Sequence, residues 1–307
     1  ERQSVERLLA PLLEAGRVDL VIAGRETFAT HVPALACRFG VRNVVLAQGG
    51  TTWGLLSGAY PPELARALRD GLAGADCVIA VAHHLAERLR ELGLQRIEVI
   101  PNAVDTHAFT PGPRDATLLR ELDLPEASVI VAHVSNLKDI KRPLDLVHAA
   151  AAALPRDPRL WFVIVGDGPC RAQVEAECAR AGVRDRFRFT EWVPRTSVPR
   201  YLRLADIVVM PSETEALALV YLETQACGRV LIASDIAAAR EVVQHGVTGL
   251  LFAKGDCAAL ADSILRAAAD PNLRTAIGTQ ARSFAERYTL EAALDAYERV
   301  FTVMPQP

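Results

Sequence analysis

Two glutamates, Glu215 and Glu223, lie eight residues apart, one in the turn-like run Pro211-Ser212-Glu213-Thr214-Glu215 and one in the helix-forming stretch after it. The pattern predicts a helix over 217–227, closed by Gly228 at a position where helices commonly end. In a single helix the two carboxylates would be ~12 Å apart along the axis and about 80° apart around it, too far for a close acid–base pair. With Glu215 in the loop and Glu223 two turns inside the helix, they can instead hold opposite ends of an extended ligand. The amides of Ala216, Leu217, Ala218, Leu219 and Val220 would then face its middle, where the helix dipole favours a phosphate or pyrophosphate. Spacing alone favours two solvated surface glutamates. A second group lies upstream, where Ser135-Asn136-Leu137-Lys138-Asp139-Ile140-Lys141-Arg142 offers cations after a predicted strand. In VIVGDGP, Gly166 and Gly168 shape a strand-to-helix turn with Pro169 at the first helical position.

The remaining chemistry-bearing residues are scattered. The six cysteines include no Cys-x-x-Cys pair and sit in apolar or Ala-rich surroundings, as buried thiols of a reducing, cytoplasmic compartment would. Seven histidines show no His-x-x-x-His spacing, so no metal site is expected. Thirty-four Lys plus Arg against 37 Asp plus Glu give a net charge of −3, without the basic excess that a nucleic-acid partner would require. Seven arginines between Arg180 and Arg203 could attract an anionic lipid surface in a peripheral contact, but interspersed Glu175, Glu177, Asp185 and Glu191 read more simply as a solvated face. No apolar stretch reaches the ~18 to 20 residues that span a bilayer.

Positioning these groups requires a scaffold, and 307 residues, 50 % of them apolar, suffice for about two domains. Short β-branched runs alternate with Ala/Leu/Arg/Glu-rich segments of helical period, the signature of an α/β fold with parallel sheets. Strands are predicted at DLVIA, NVVLA, CVIAV and IEVIP, with helices near 4–15, 27–39, 61–73 and 83–92. The turn-rich segment PNAVDTHAFTPGPRD at 101–115 is the best boundary. Beyond it, strands are predicted at SVIVAHV, LWFVIVG, FRFTEWV, DIVVMP, VLIAS and GLLF. Helices near 142–154, 169–181, 196–204, 217–227, 256–269, 271–286 and 289–303 accompany them. Open α/β sheets bind ligands beyond the carboxyl ends of their strands, where the glutamates and lysines fall.

The stretch MPSETEALALVYLETQACGRVLIAS followed by REVVQHGVTGLLF resembles the signature of family-four retaining glycosyltransferases of the GT-B fold. VIPNAVD at 99–105, VIVGDGP at 163–169 and SNLKDIKR extend the resemblance over nearly the whole chain. It implies two Rossmann-like doubly wound domains facing a cleft: 1–106 as an acceptor-side domain, 107–286 as the nucleotide-sugar domain, and 287–307 as a helix returning to the first. It implies that Glu223 bonds the nucleotide ribose, that Glu215 contacts the donor sugar, and that Lys141 neutralises the departing diphosphate. Asn136 falls at a usual arginine, so Lys138 is expected to supply the second cation. The loop at Trp192-Val193 would receive the base through backbone groups, and Gln48 takes the place of a sugar-facing histidine. The chemistry implied is metal-independent transfer of a hexosyl group, with retention, from a nucleotide diphosphate sugar to a hydroxyl acceptor, the co-substrate serving in place of any cofactor. The SNLKDIKR run is closer to the bacillithiol-pathway branch, whose acceptor is L-malate, than to the general form.

Several positions depart from that pattern. Two family glycines are Ala216 and Ala218 here, where a positive φ would be strained, and a usual Gly-Gly loop is Ala237-Ala238-Ala239-Arg240. Three further strands expected at the front of the first domain, including a glycine-rich loop, have no counterpart in residues 1–18, a deficit of roughly 70 to 90 residues. These departures motivate the alternative of a non-catalytic nucleotide-sugar binder acting as an interaction subunit. A dinucleotide oxidoreductase is disfavoured because no Gly-x-Gly-x-x-Gly follows a strand.

Overall fold

A computed structural model describes residues 2–304, and the chain divides into two compact units, 1–102 with 291–307, and 103–290. The first unit carries α1 (Arg2–Glu14), β1 (Leu20–Ala23), α2 (Val32–Arg38), β2 (Arg42–Ala47), α3 (Gly50–Leu56), α4 (Pro62–Ala73), β3 (Cys77–Ala80), α5 (His83–Glu91) and β4 (Ile97–Val99). Its four strands pair in parallel in the order β1-β2-β3-β4. The helix expected over 27–39 is divided, a 3-10 turn at Glu26–Thr30 preceding α2. The segment after β2 turns into α3, where the carboxylate of Glu26 accepts the amides of Gly49 and Thr51 at 3.3 and 3.1 Å, satisfying donors at that helix's start.

The second unit contains α6 (Ala116–Glu121), β5 (Val129–Val134), α7 (Pro143–Ala153), β6 (Leu160–Val165), α8 (Arg171–Arg180), β7 (Phe187–Phe189), α9 (Val198–Leu204) and β8 (Ile207–Met210). It continues with α10 (Leu219–Ala226), β9 (Val230–Ser234), α11 (Ala237–Val242), β10 (Leu250–Phe252), α12 (Cys257–Ala269) and α13 (Pro271–Ala285). The six strands are parallel in the order β10-β9-β8-β5-β6-β7, so the winding reverses beside β5 and opens a crevice at the carboxyl ends of β5 and β8. The central strands are buried on both faces, as continuous apolar runs such as Val129–Val134 require. Val131, Phe162, Ile207 and Ile232 of the sheet pack with Leu146, Val174, Leu260 and Ile264 of the helices. Asp115, Asp256 and Asp270 cap α6, α12 and α13 by accepting first-turn amides.

Two expectations are corrected here. The strand read over 187–193 stops at Phe189. Beyond it Thr190 Oγ1 donates to Glu191 O at 2.8 Å while accepting the Gly166 amide at 3.2 Å, which turns the chain off the sheet edge. Residues 237–240, at the place of the family's usual Gly-Gly loop, begin α11 instead, and three alanines favour that helix.

The last helix, α14 (Leu290–Val303), belongs to the first unit from Glu291 onward. Tyr297, Val300, Phe301 and Met304 pack on Val44, Cys77, Ile79 and Ile100, and Arg42 Nη1 donates to Phe301 O at 2.9 Å.

Candidate active site

The loops leaving β5 and β8 meet at the crevice. Glu213 N donates to Ile140 O at 2.8 Å, which ties the two loops together through their backbones. Lys141 Nζ reaches Glu215 Oε1 at 2.5 Å, with side chains only 19 % and 10 % exposed, and the buried Ser212 hydroxyl donates to the same oxygen at 2.8 Å. Screening is weak at such burial, so this pair holds both groups firmly. Arg142, in the left-handed conformation at φ 48°, donates to Asp145 at 2.7 Å and to Glu213 at 3.0 Å, while Lys254 donates to the other oxygen of Glu213 at 2.6 Å. The Glu213 carboxyl is held below its ordinary range by Lys254 first and Arg142 after it.

The first loop owes its shape to His133, a residue that the sequence reading overlooked. Its imidazole is fully buried, with Nδ1 at 2.9 Å from Val209 O and Nε2 at 2.8 Å from Ser135 Oγ. Burial pushes its pKa down to about 4, so the ring is neutral near pH 7. Since a carbonyl can only accept, Nδ1–H donates to Val209, and Nε2 accepts from the Ser135 hydroxyl. Ser135 Oγ in turn accepts the Leu137 amide at 3.0 Å. This relay fastens β5 to β8 and holds Leu137 at φ 40°, just ahead of Lys138 and Lys141. Asn136 and Lys138 are exposed along the loop. Gly166 (φ 116°) and Gly168 press against it from the end of β6: a Cβ on them would lie 2.1 Å from Ser135 O and 1.9 Å from Asn136 O. Both glycines are therefore required for backbone approach.

The Glu215–Glu223 segment also differs from expectation. α10 begins at Leu219 rather than 217, leaving Ala216, Leu217 and Ala218 in a non-helical lead-in, with Ala218 at φ −68° as N-cap. Neither Ala216 nor Ala218 has a positive φ, so the methyl groups that replace glycine introduce none of the strain anticipated for them. Glu223 lies on the second turn of α10 with its side chain 7 % exposed, and burial raises its pKa. Its partner is Arg195, at 2.9 Å, from the loop following half-buried Val193. Sequence reading gave Arg195 no role of its own, because nothing local to that loop points to a carboxylate 28 residues downstream. Lys141, Glu215, Lys138, Asn136, Gly166, Glu223 and Val193 all lie in the second unit; Gln48 lies in the first, exposed after β2, with its Nε2 at 3.4 Å from Gly24 O.

The arginines between 180 and 203 are engaged within the fold. Arg184 stacks on Phe189, Arg186 and Arg188 on Trp161, Arg200 pairs with Asp115, and Arg188 donates to Leu122 O. Among the described residues no helix is long and apolar enough to cross a membrane.

Two parallel α/β units with charged loops converging at a switch point define the Rossmann-like architecture of GT-B proteins. Residues 115–284 match the family model of glycosyl transferases group 1 and residues 4–108 that of glycosyltransferase family 4, and the chain belongs to this family. It is 31 % identical over 78 % of its length to N-acetyl-alpha-D-glucosaminyl L-malate synthase of Bacillus anthracis, and 32 % identical over 80 % to D-inositol 3-phosphate glycosyltransferase of Kribbella flavida. These matches span 63 % and 61 % of the two relatives. The fold superposes on Anabaena HepE in complex with UDP-glucose with a TM-score of 0.86, at 20 % identity, covering 97 % of this chain and 83 % of that one.

Proposed function

We propose that the chain carries the donor site and sugar-transfer chemistry of a retaining, metal-independent hexosyltransferase using a nucleotide diphosphate sugar. The observation that carries this reading is the Lys141–Glu215 pair at the carboxyl ends of β5 and β8, with the buried Glu223 further along the same β8–α10 segment. Glu223, an acceptor-only carboxylate when ionised, suits the two donor hydroxyls of a ribose, and the Arg195 charge opposes the upward push of burial on its pKa. Glu215, oriented by Ser212, accepts from hydroxyls of the sugar. Lys141 sits where it can shift from Glu215 towards the diphosphate as negative charge develops on it, a contact strengthened in the transition state. The acceptor oxygen bonds to the anomeric carbon on the face from which the phosphate leaves, and the acceptor proton passes to the departing phosphate oxygen. The names of the relatives make uridine the first base to test, and L-malate and inositol phosphate the first acceptors.

Calorimetry against uridine and guanosine diphosphate sugars, paired with transfer assays, tests the reading. Glu223→Ala is expected to weaken nucleotide binding at least tenfold. Lys141→Ala is expected to lower turnover on the order of 10² to 10³ with a smaller effect on binding. Unchanged binding and turnover in both variants would overturn the assignment, and binding without turnover in the unaltered chain would favour a non-catalytic binder.

A further inference from the structure

We propose a surface site for a borderline-soft divalent cation such as zinc, formed by Asp145 and His148 on α7 and Cys257 at the start of α12. One ligand atom from each lies within 4.8 Å of the others, the range that small side-chain adjustments bring to a shared metal. Asp145 and His148, one helical turn apart, face the same side of α7, and α12 supplies the thiol from across the helix pair. The donor set of carboxylate, imidazole and thiolate suits zinc better than magnesium or calcium, which prefer oxygen alone.

A second observation points to the same use. His148 Nε2 lies 2.9 Å from Glu177 Oε1, and Arg180 Nε donates to the other oxygen of that carboxylate at 2.8 Å. A carboxylate on one ring nitrogen fixes the tautomer and aims the other at a metal, the usual support of a ligating histidine. Asp145 already accepts from Arg142 Nε and Nη2, at 2.7 and 3.2 Å. Each carboxylate oxygen keeps a second lone pair, and Arg142 is anchored independently on Glu213, so Asp145 can take a metal without leaving the arginine unpartnered. Three protein ligands leave a fourth position for water, the arrangement of an open rather than a structural zinc site.

Competition between the chain and a chromophoric zinc indicator tests the proposal, together with absorption spectra after cobalt addition. Expected are sub-micromolar binding of one zinc, a thiolate-to-cobalt charge-transfer band, and loss of both in Cys257→Ser and His148→Ala. Glu177→Gln should weaken affinity about 10- to 100-fold, and Cys37→Ser should leave it unchanged. Melting temperatures without metal verify that these surface variants fold. Affinity no better than millimolar, a missing charge-transfer band, or unaltered binding in Cys257→Ser overturns the site.

Discussion

His133 shows how one buried side chain can control a charged loop at a distance. Its depressed pKa has a definite consequence for stability. The unfolded chain binds a proton near 6.5 and the folded one near 4, so stability is fully retained above 6.5 and falls as the pH drops through that window. The contribution is on the order of 3 kcal/mol. His133→Leu should flatten this part of the pH–stability curve in denaturant titrations. It should also cost about 1 to 3 kcal/mol at pH 7, because Val209 O and the Ser135 hydroxyl lose their partner. Glu223 works in the opposite sense. Its folded pKa is raised by burial, so the native state disfavours its charge, and the stability that the group contributes below its unfolded pKa is lost as the pH rises through the folded one. Glu223→Gln removes that charge while exposed Arg195 returns to water. Thermal melts at pH 7 should show a Tm higher by about 1 to 4 °C, and calorimetry on the same variant should show weaker nucleotide binding.

At the scale of elements, the close approach beside the lysines is made by the turn after β6. Gly166 and Gly168 let the β6 turn lie directly on the carbonyls of Ser135 and Asn136. Gly166→Ala should therefore cost on the order of 2 to 4 kcal/mol and displace the lysine-bearing loop, so that stability and nucleotide affinity fall together. An alanine at Gly182, which meets no atom within 4 Å, changes only its own left-handed turn and should leave affinity intact, which makes it the control for the measurement. The late start of α10 has a similar cause. Its lead-in residues 216–218 run between Glu215, fixed by Lys141 and Ser212, and the helix, with Ala218 extended and no positive φ at Ala216, a backbone that alanine tolerates. The glycine-to-alanine changes that seemed to weigh against a working site thus lose much of their force.

For the molecule as a whole, α14 closes the first unit after the chain has built the second. Tyr297, Val300, Phe301 and Met304 pack on apolar residues of the four-stranded sheet. Deleting 291–307 should lower the unfolding temperature of the first unit selectively, while the six-stranded unit retains its transition. Scanning calorimetry would detect this as two separated peaks, and a uniform shift of a single peak would contradict it. Amino-acid order alone determined the α/β class, nearly every strand, and the segments holding Lys141, Glu215 and Glu223. Those signals are local: runs of β-branched residues, helical period, and turn chemistry act within ten or so residues. Tertiary structure alone decided that Glu223 meets Arg195, that Glu26 starts a helix from the β1–α2 connection, and that buried His133 bridges two strands 76 residues apart. It likewise decided that Asp145, His148 and Cys257 converge. Each of these pairings depends on strand order and burial, and a side chain's neighbour across a parallel sheet is set by how the crossovers pack, which no local pattern in the chain encodes.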